Sequence, residues 1–210
     1  RLNYSADEAS TRMVDVVFAL EEGTLDDDHA EALSLAVRRV LPWFDEEAEA
    51  GILPLSGLAH GNNGMCFIGR RSRLVLRLPI HRSASANSLA GTRLDLDGAV
   101  LTVGAGSVRP LLPARGVVYS HLVSVGADDE IEFLACCKAL LAGRGLQPQL
   151  ITGKAHELRT VQGPVRGFSL MLHGLAAAES LAMQEIGLGG HRALGCGLFI
   201  PHKSVVAVGN

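Results

Sequence analysis

Three observations predict an α+β fold built from two successive β-α-β-β-α-β units, a tandem ferredoxin-like (RRM-like) arrangement. Short apolar runs rich in β-branched residues alternate with stretches whose apolar residues recur at helical spacing. The order of these runs, followed to residue 103, starts again after residue 116. Between the two passes, residues 109–116 carry Pro110, Pro113 and Gly116, the composition of a connecting segment. The expected division is a flexible leader over residues 1–12, a first domain over 13–108, a linker over 109–116 and a second domain over 117–210. The leader is polar and aperiodic, and Met13 is the expected natural start.

Each element has a local reason. Residues 14–20 form an apolar, β-branched run that reads as a buried strand. Residues 24–28 end in Asp26, Asp27 and Asp28, side chains that accept bonds from free N–H groups where a helix starts. From His29 the pattern is helical, with Leu33, Val37, Val40 and Leu41 on one stripe and Pro42 ending it. Residues 52–59 read as a strand. The turn over residues 60–64 follows, its Asn63-Gly64 a strong hairpin signal, and residues 65–68 return as a strand. Residues 73–78 make another strand, residues 83–90 a short helix, and residues 93–103 a hairpin about Asp97-Gly98. In the second pass, strands are expected at 117–125, 149–152, 167–172 and 198–200, with helices at 128–141 and 176–186.

Composition bounds the function. At 48% hydrophobic, 210 residues can bury a sizeable core, with no run long enough to span a membrane. Aromatics are 4%, so a grip on nucleic acid would rest on charge and backbone contacts more than on stacking. The net charge of −3 hides an asymmetry. Residues 1–49 carry 13 acids and 4 bases, whereas residues 50–210 carry 9 acids and 15 bases, a pattern compatible with a polyanion on one face. Cys66, Cys136, Cys137 and Cys196 form no C-x-x-C and no regular framework, which reads as a reduced, cytoplasmic protein. No H-E-x-x-H, nucleophile elbow or Walker loop is present, and neither metal nor cofactor is expected.

The densest motif runs from Gly187 to Gly197, Gly-Leu-Gly-Gly-His-Arg-Ala-Leu-Gly-Cys-Gly, or G-x-G-x5-G-x-G. Glycines at this spacing let a loop adopt positive φ and bring N–H groups close to an anionic ligand. His191 and Arg192 add donors and charge. A tight turn that needs glycines for geometry alone fits the same residues.

With this loop closing a second ferredoxin-like pattern, the chain resembles the CRISPR repeat-processing endoribonucleases of the RAMP superfamily, in particular a subgroup associated with type I systems. The resemblance rests on Gly187, Gly189, Gly195 and Gly197 with Leu188 and Cys196 between them. It extends to Leu25-Asp26-Asp27-Asp28-His29, to the run from Arg70 to Pro79, to the run from Phe168 to Leu175, and to the closing Leu198-Phe199-Ile200-Pro201-His202-Lys203. The resemblance spans about residues 13–206.

That resemblance implies metal-independent cleavage of precursor CRISPR RNA at the base of a repeat hairpin. The 2′-OH upstream of the scissile phosphate would attack it, leaving a 2′,3′-cyclic phosphate and a 5′-OH. The product guide RNA would stay bound, and the partners would be the repeat hairpin and other subunits of a type I surveillance complex, with no membrane. In such enzymes the catalytic histidine lies in or beside the first helix, the place of His29. His60, in its Gly/Asn-rich turn, is the rival, and the two stay open alternatives. His121 and His173, in strand-like runs, read as structural. Arg70, Arg71, Arg73 and Arg77 form a basic run in which alternation puts Arg73 and Arg77 on one face, either a row along RNA phosphates or a solvated strand face. Arg82 extends that surface. Gly187, Gly189, Gly190, His191, Arg192, Gly195 and Gly197 of the loop, and Lys203 after the last strand, complete the expected RNA contacts. Two other readings remain: an RNA-binding subunit that holds the guide without cutting, and a small-ligand or structural module whose glycine loop is a turn.

Overall fold

The computed structural model describes residues 11–114 and 116–202. The first strand, β1 (Met13–Leu20), is buried along most of its length, with Val14, Val16, Phe18 and Leu20 packed in the first core. It is followed by β2 (Gly23–Asp26), α1 (Ala30–Val40), β3 (Gly51–Ile52), β4 (Ala59–His60), β5 (Met65–Ile68), β6 (Arg73–Pro79), α2 (Ser83–Ala86), β7 (Arg93–Leu96) and β8 (Ala99–Pro110). The second half consists of β9 (Gly116–Val123), α3 (Glu130–Ala142), β10 (Gln149–Leu158), β11 (Val165–Leu175), α4 (Ala177–Ile186) and β12 (Ile200–Pro201).

The antiparallel order β3-β6-β1-β8-β7 in the first half and β10-β11-β9-β12 in the second places the two inner strands of each βαββαβ unit side by side. Both halves therefore have the ferredoxin-like layout. The added hairpin strand β7 extends the first sheet, and β2-β5-β4 form a separate small sheet beside it. Helix α1 buries Leu33, Ala36 and Val37 in the first core with Leu74, Leu76 and Leu78 of β6. Each such side chain contributes roughly 1.5–3 kcal/mol by leaving water. In the second core, α3 contributes Phe133, Cys137 and Leu141, and α4 contributes Met183. The start of α3 is set by Asp129, whose Oδ1 accepts the N–H of Ile131 and of Glu132 at 2.9 Å each.

Two expected elements differ. Residues 23–26 form strand β2 against β5 rather than a helix start, since Leu25 gains full burial there, and the Asp28 N–H donates to Asp26 Oδ1 in a turn ahead of α1. The strand expected over 52–59 keeps its ladder with β6 at Gly51–Ile52 and a further single bridge from Ser56 to Arg73. Pro54 has no N–H to donate and Gly57 takes φ +71, so the pairing is interrupted and the chain passes on to β4 in the small sheet. Strand β8 runs to Pro110, into the segment expected as a linker. Among the described residues no helix is long and apolar enough to cross a membrane, and all four cysteines are free.

The faces of β1, β6 and β8 turned away from α1 look toward the corresponding face of β9. Between them lies a cleft of about 530 Å³ lined by Asp15, Val17, Arg73, Val75, Arg109, Tyr119, His121 and Ile200, among others. A smaller cavity of about 270 Å³ opens beside it at the start of α1.

Candidate active site

His29 is the residue before α1, and its Nδ1 lies 2.7 Å from the carbonyl oxygen of Asp26. His60 is on β4, with Nδ1 3.0 Å from Asp27 Oδ1. An oxygen of either kind only accepts, so in both rings Nδ1 carries a hydrogen and Nε2 is left to take or give a proton. Adjacent aspartates thus anchor both imidazoles. The two rivals of the sequence reading meet here: His29 and His60 line the same 270 Å³ cavity, with Asp27, Leu33, Leu55 and Leu58 on their side. Cys66 Sγ is 3.9 Å from His29 Nδ1, but it makes no nucleophile. Burial pushes its thiol up, and the charges of Asp27 and Asp26 push it further.

The opposite wall holds a residue that sequence reasoning set aside. His121 of β9 faces the cavity beside Leu122, Leu158, Leu194 and Gly195, and it also reaches the larger cleft. Its ring lies 4.2 Å, centroid to centroid, from that of His156 on β10. Burial lowers the pKa of His121, and His156 lowers it further, so the ring is neutral at pH 7. The available signal was alternation: Val118 and Ser120 are buried on one side of the strand, which leaves Tyr119 and His121 on the other.

The glycine loop is fastened into the fold. The N–H groups of Leu188, Gly190, Gly195, Cys196 and Gly197 donate to the carbonyls of Gly197, Ser124, Arg192, His191 and Leu122. These amides are satisfied within the fold. Gly187, Gly189, Gly195 and Gly197 all have positive φ, and a methyl group on Gly197 would land on the carbonyl oxygen of Leu188. Gly197→Ala is expected to cost at least about 2 kcal/mol, measured by urea unfolding, because an L side chain is strained at this φ and the carbonyl cannot yield. Gly190 has open space around its Cα, so Gly190→Ala should stay within about 0.5 kcal/mol of the parent. Equal losses at the two positions would contradict this account.

Two expected RNA contacts are structural. The alternation of Arg73, Val75 and Arg77 holds, but Arg77 is 1% exposed. Its Nε and Nη2 donate to the two carboxylate oxygens of Asp15 at 2.8 and 3.0 Å, and its Nη1 donates to the carbonyls of Gln184 and Phe199. It therefore joins the first sheet to α4 and the last segment of the second half and cannot track phosphates. Arg192 donates to the carbonyls of Glu185 and Ile186 at the end of α4, and to that of Glu49 in the first half. Burial pushes its guanidinium down to about 10, which leaves it charged at neutral pH. Arg82 is engaged by Glu46 and Glu47 and lies over Trp43, with 5.0 Å from guanidinium carbon to ring centroid. Arg70 and Arg71 are exposed in the turn between β5 and β6, Arg73 reaches the larger cleft opposite Arg109, and His191 is exposed with φ +61. Lys203 lies outside the described residues.

The fold is shared with a solved "RAMP protein binding different RNA substrates", with a TM-score of 0.64, 12% identity, and coverage of 90% of this chain and 100% of that one. The class is an α+β fold of two ferredoxin-like halves. The "Cas6 Crispr" family model matches residues 14–204, and the chain belongs to that family. A CRISPR-associated endonuclease Cas6 of Myxococcus xanthus (strain DK1622) is 36% identical over 193 residues, covering 90% of this chain and 81% of the relative. The fold is shared as well with Thermus thermophilus Cse3, solved bound to an RNA representing a pre-cleavage complex (TM-score 0.52, 17% identity, 90% of this chain and 98% of that one).

Proposed function

We propose that this protein is a metal-independent endoribonuclease that cuts precursor CRISPR RNA within its repeat and stays bound to the repeat hairpin of the product. The observation that carries the reading is the pair of anchored imidazoles, His29 and His60, with Nε2 unengaged at one cavity. Cleavage by an internal 2′-OH needs one group to take a proton from that hydroxyl and another to give one to the leaving 5′-oxygen. Imidazoles perform both transfers near neutrality, so the chain's own side chains suffice for the chemistry. Arg70, Arg71, Arg73 and Arg109, with His191 at the loop, are the side chains available to hold RNA phosphates. The Myxococcus relative named as an endonuclease and the Cse3 structure solved on RNA support the same substrate. Other subunits of a type I surveillance complex would then meet the protein on its guide.

The test is incubation of the purified protein in EDTA with end-labelled repeat RNA from the neighbouring array. A single cut leaving a 2′,3′-cyclic phosphate and a 5′-OH is expected. Tight binding that leaves the RNA whole would favour a guide-holding subunit, and cutting only on addition of a divalent cation would overturn the mechanism.

A further inference from the structure

We propose that His121 is a catalytic residue of this site, the base that removes the 2′-hydroxyl proton, with His29 across the cavity as the acid for the leaving oxygen. The inference rests on the endoribonuclease reading above and adds a residue and a division of roles to it.

The argument begins with the geometry of displacement at phosphorus. The attacking 2′-oxygen and the departing 5′-oxygen lie roughly in line on opposite sides of the phosphorus atom. The group that takes a proton and the group that gives one must therefore approach the phosphate from opposite sides. His29 and His60 both belong to the first half, one before α1 and the other on the neighbouring β4, and both hang from the aspartate run of residues 26–28. Two rings on one wall are poorly placed to serve both ends of the displacement. His121 stands on the other wall of the same cavity, on a strand of the second half. It is the one further histidine lining that cavity among the described residues.

Proton bookkeeping closes with these two rings. The neutral imidazole of His121 takes the proton from the 2′-OH, and the oxygen forms a bond to phosphorus. The P–O5′ bond breaks, and its electron pair takes the proton held on Nε2 of the His29 imidazolium. The products are the 2′,3′-cyclic phosphate and a free 5′-OH. His121 is left protonated and His29 neutral, and exchange with water restores both. No oxidant or co-reactant is required.

The surroundings of His121 keep it suited to the role of base. The groups facing it are His156 in the stack, with Lys154 behind it on β10, then Asp27, His29 and His60 across the smaller cavity, and Asp15, Arg73, Arg109 and Tyr119 around the larger cleft. Burial and His156 keep the ring neutral at physiological pH. His156 is thereby a positioning residue, because its imidazole supports the His121 ring from the side away from the substrate.

The experiment uses full-length protein in single-turnover cleavage of the repeat RNA, with the natural substrate and with one carrying sulfur in place of the scissile 5′-oxygen. A thiolate leaves without a proton, so the sulfur substrate rescues loss of an acid but not loss of a base. His121→Gln is expected to cut about 10²–10⁴-fold more slowly at saturating enzyme with unchanged RNA affinity, and the sulfur substrate should not restore it. His29→Ala should be restored. His156→Asn, which removes the neighbouring imidazole that holds the His121 pKa down, should move the acid limb of the rate profile to higher pH. Rescue of His121→Gln by sulfur, recovery of its rate at higher enzyme concentration, or an unmoved acid limb in His156→Asn would each overturn the assignment. A wild type that cuts no faster than His121→Gln would overturn it alone. A wild type that leaves the RNA whole would overturn both the assignment and the reading beneath it.

Discussion

Arg77→Met should destabilise the protein by about 3–5 kcal/mol, the cost of leaving one partner of a buried ion pair alone. At this chain length the loss corresponds to a fall of roughly 6–20 °C in Tm. The side chain is 1% exposed and all three guanidinium nitrogens are engaged, two by the carboxylate of Asp15 and one by the carbonyls of Gln184 and Phe199. Methionine can fill the volume but donates no hydrogen bond. The Asp15 carboxylate and two backbone carbonyls would remain in the junction between the halves without their donors, and such unmade bonds are the larger part of the penalty. Arg77→Lys should recover little of it, because a point charge with three donors cannot span a carboxylate and two carbonyls in one plane. The double variant Arg77→Met/Asp15→Leu should recover a substantial part, since removing both charges leaves an apolar contact of similar size. Urea unfolding of the three variants checks the series. A single variant within about 1 kcal/mol of the parent would return Arg77 to the surface role that strand alternation implied.

The Arg77 network also shows where sequence information stops. Alternation along residues 73–79 correctly separates Leu74, Leu76 and Leu78 from Arg73, Val75 and Arg77. It says which residues share a face, but not what that face will meet. The second half covers the Arg77 end and leaves the Arg73 end open to the cleft, a consequence of packing between residues more than 100 positions apart. His121 was hidden for the same reason. Its outward position on β9 follows from a period of two, yet only the packing of the halves turns that outward face into the wall of a cavity. The charge asymmetry was legible and its meaning was only half so. Several acids of the first 49 residues are spent on bases of the rest, Asp15 on Arg77, Glu46 and Glu47 on Arg82, and Asp28 on Arg159 at 3.6 Å. Fewer cations therefore remain for RNA than the count suggests.

The glycine motif marks the converse case, in which the residues were legible and their reason was not. Spacing alone identified a loop that needs positive φ, and the structure has it. The deeper requirement is close approach. Gly187 lies against the carbonyl of Gly197, Gly197 against the backbone of Leu188, Gly189 against Ser124, and Gly195 against Pro54 of the first half. The loop holds Leu194 and Gly195 against the cavity where His29 and His60 sit, so its contribution to the site is to fix the far wall. Architecture and chemistry are coupled through it. A glycine substitution that lowers cleavage would therefore act through the position of that wall, and its effect should follow stability across the loop.

His29→Ala is expected to slow cleavage by about 10²–10⁴-fold while leaving affinity for the repeat RNA unchanged. The ring contributes little to the fold: its short hydrogen bond, Nδ1 to the Asp26 carbonyl, is exposed, and bonds of this kind are worth about 0.5–1.5 kcal/mol. Loss of rate without loss of binding is what separates a proton-transfer group from an anchor. His29→Asn makes the separation sharper. Its amide nitrogen can take the place of Nδ1 and donate to Asp26, so the local turn is kept, but nothing in asparagine replaces Nε2. If the ring only braces the start of α1, the asparagine variant should cut like the parent and the alanine variant should not. If Nε2 moves the proton, both should fail alike. His60→Ala supplies the comparison from the same wall, where the ring is 68% exposed and tied to Asp27. A slower cut there, with His29→Ala fully active, would transfer the role from one anchored imidazole to the other and leave the cavity as the place of reaction. Measured as single-turnover rates at saturating enzyme, the three variants decide which nitrogen at this cavity carries the proton.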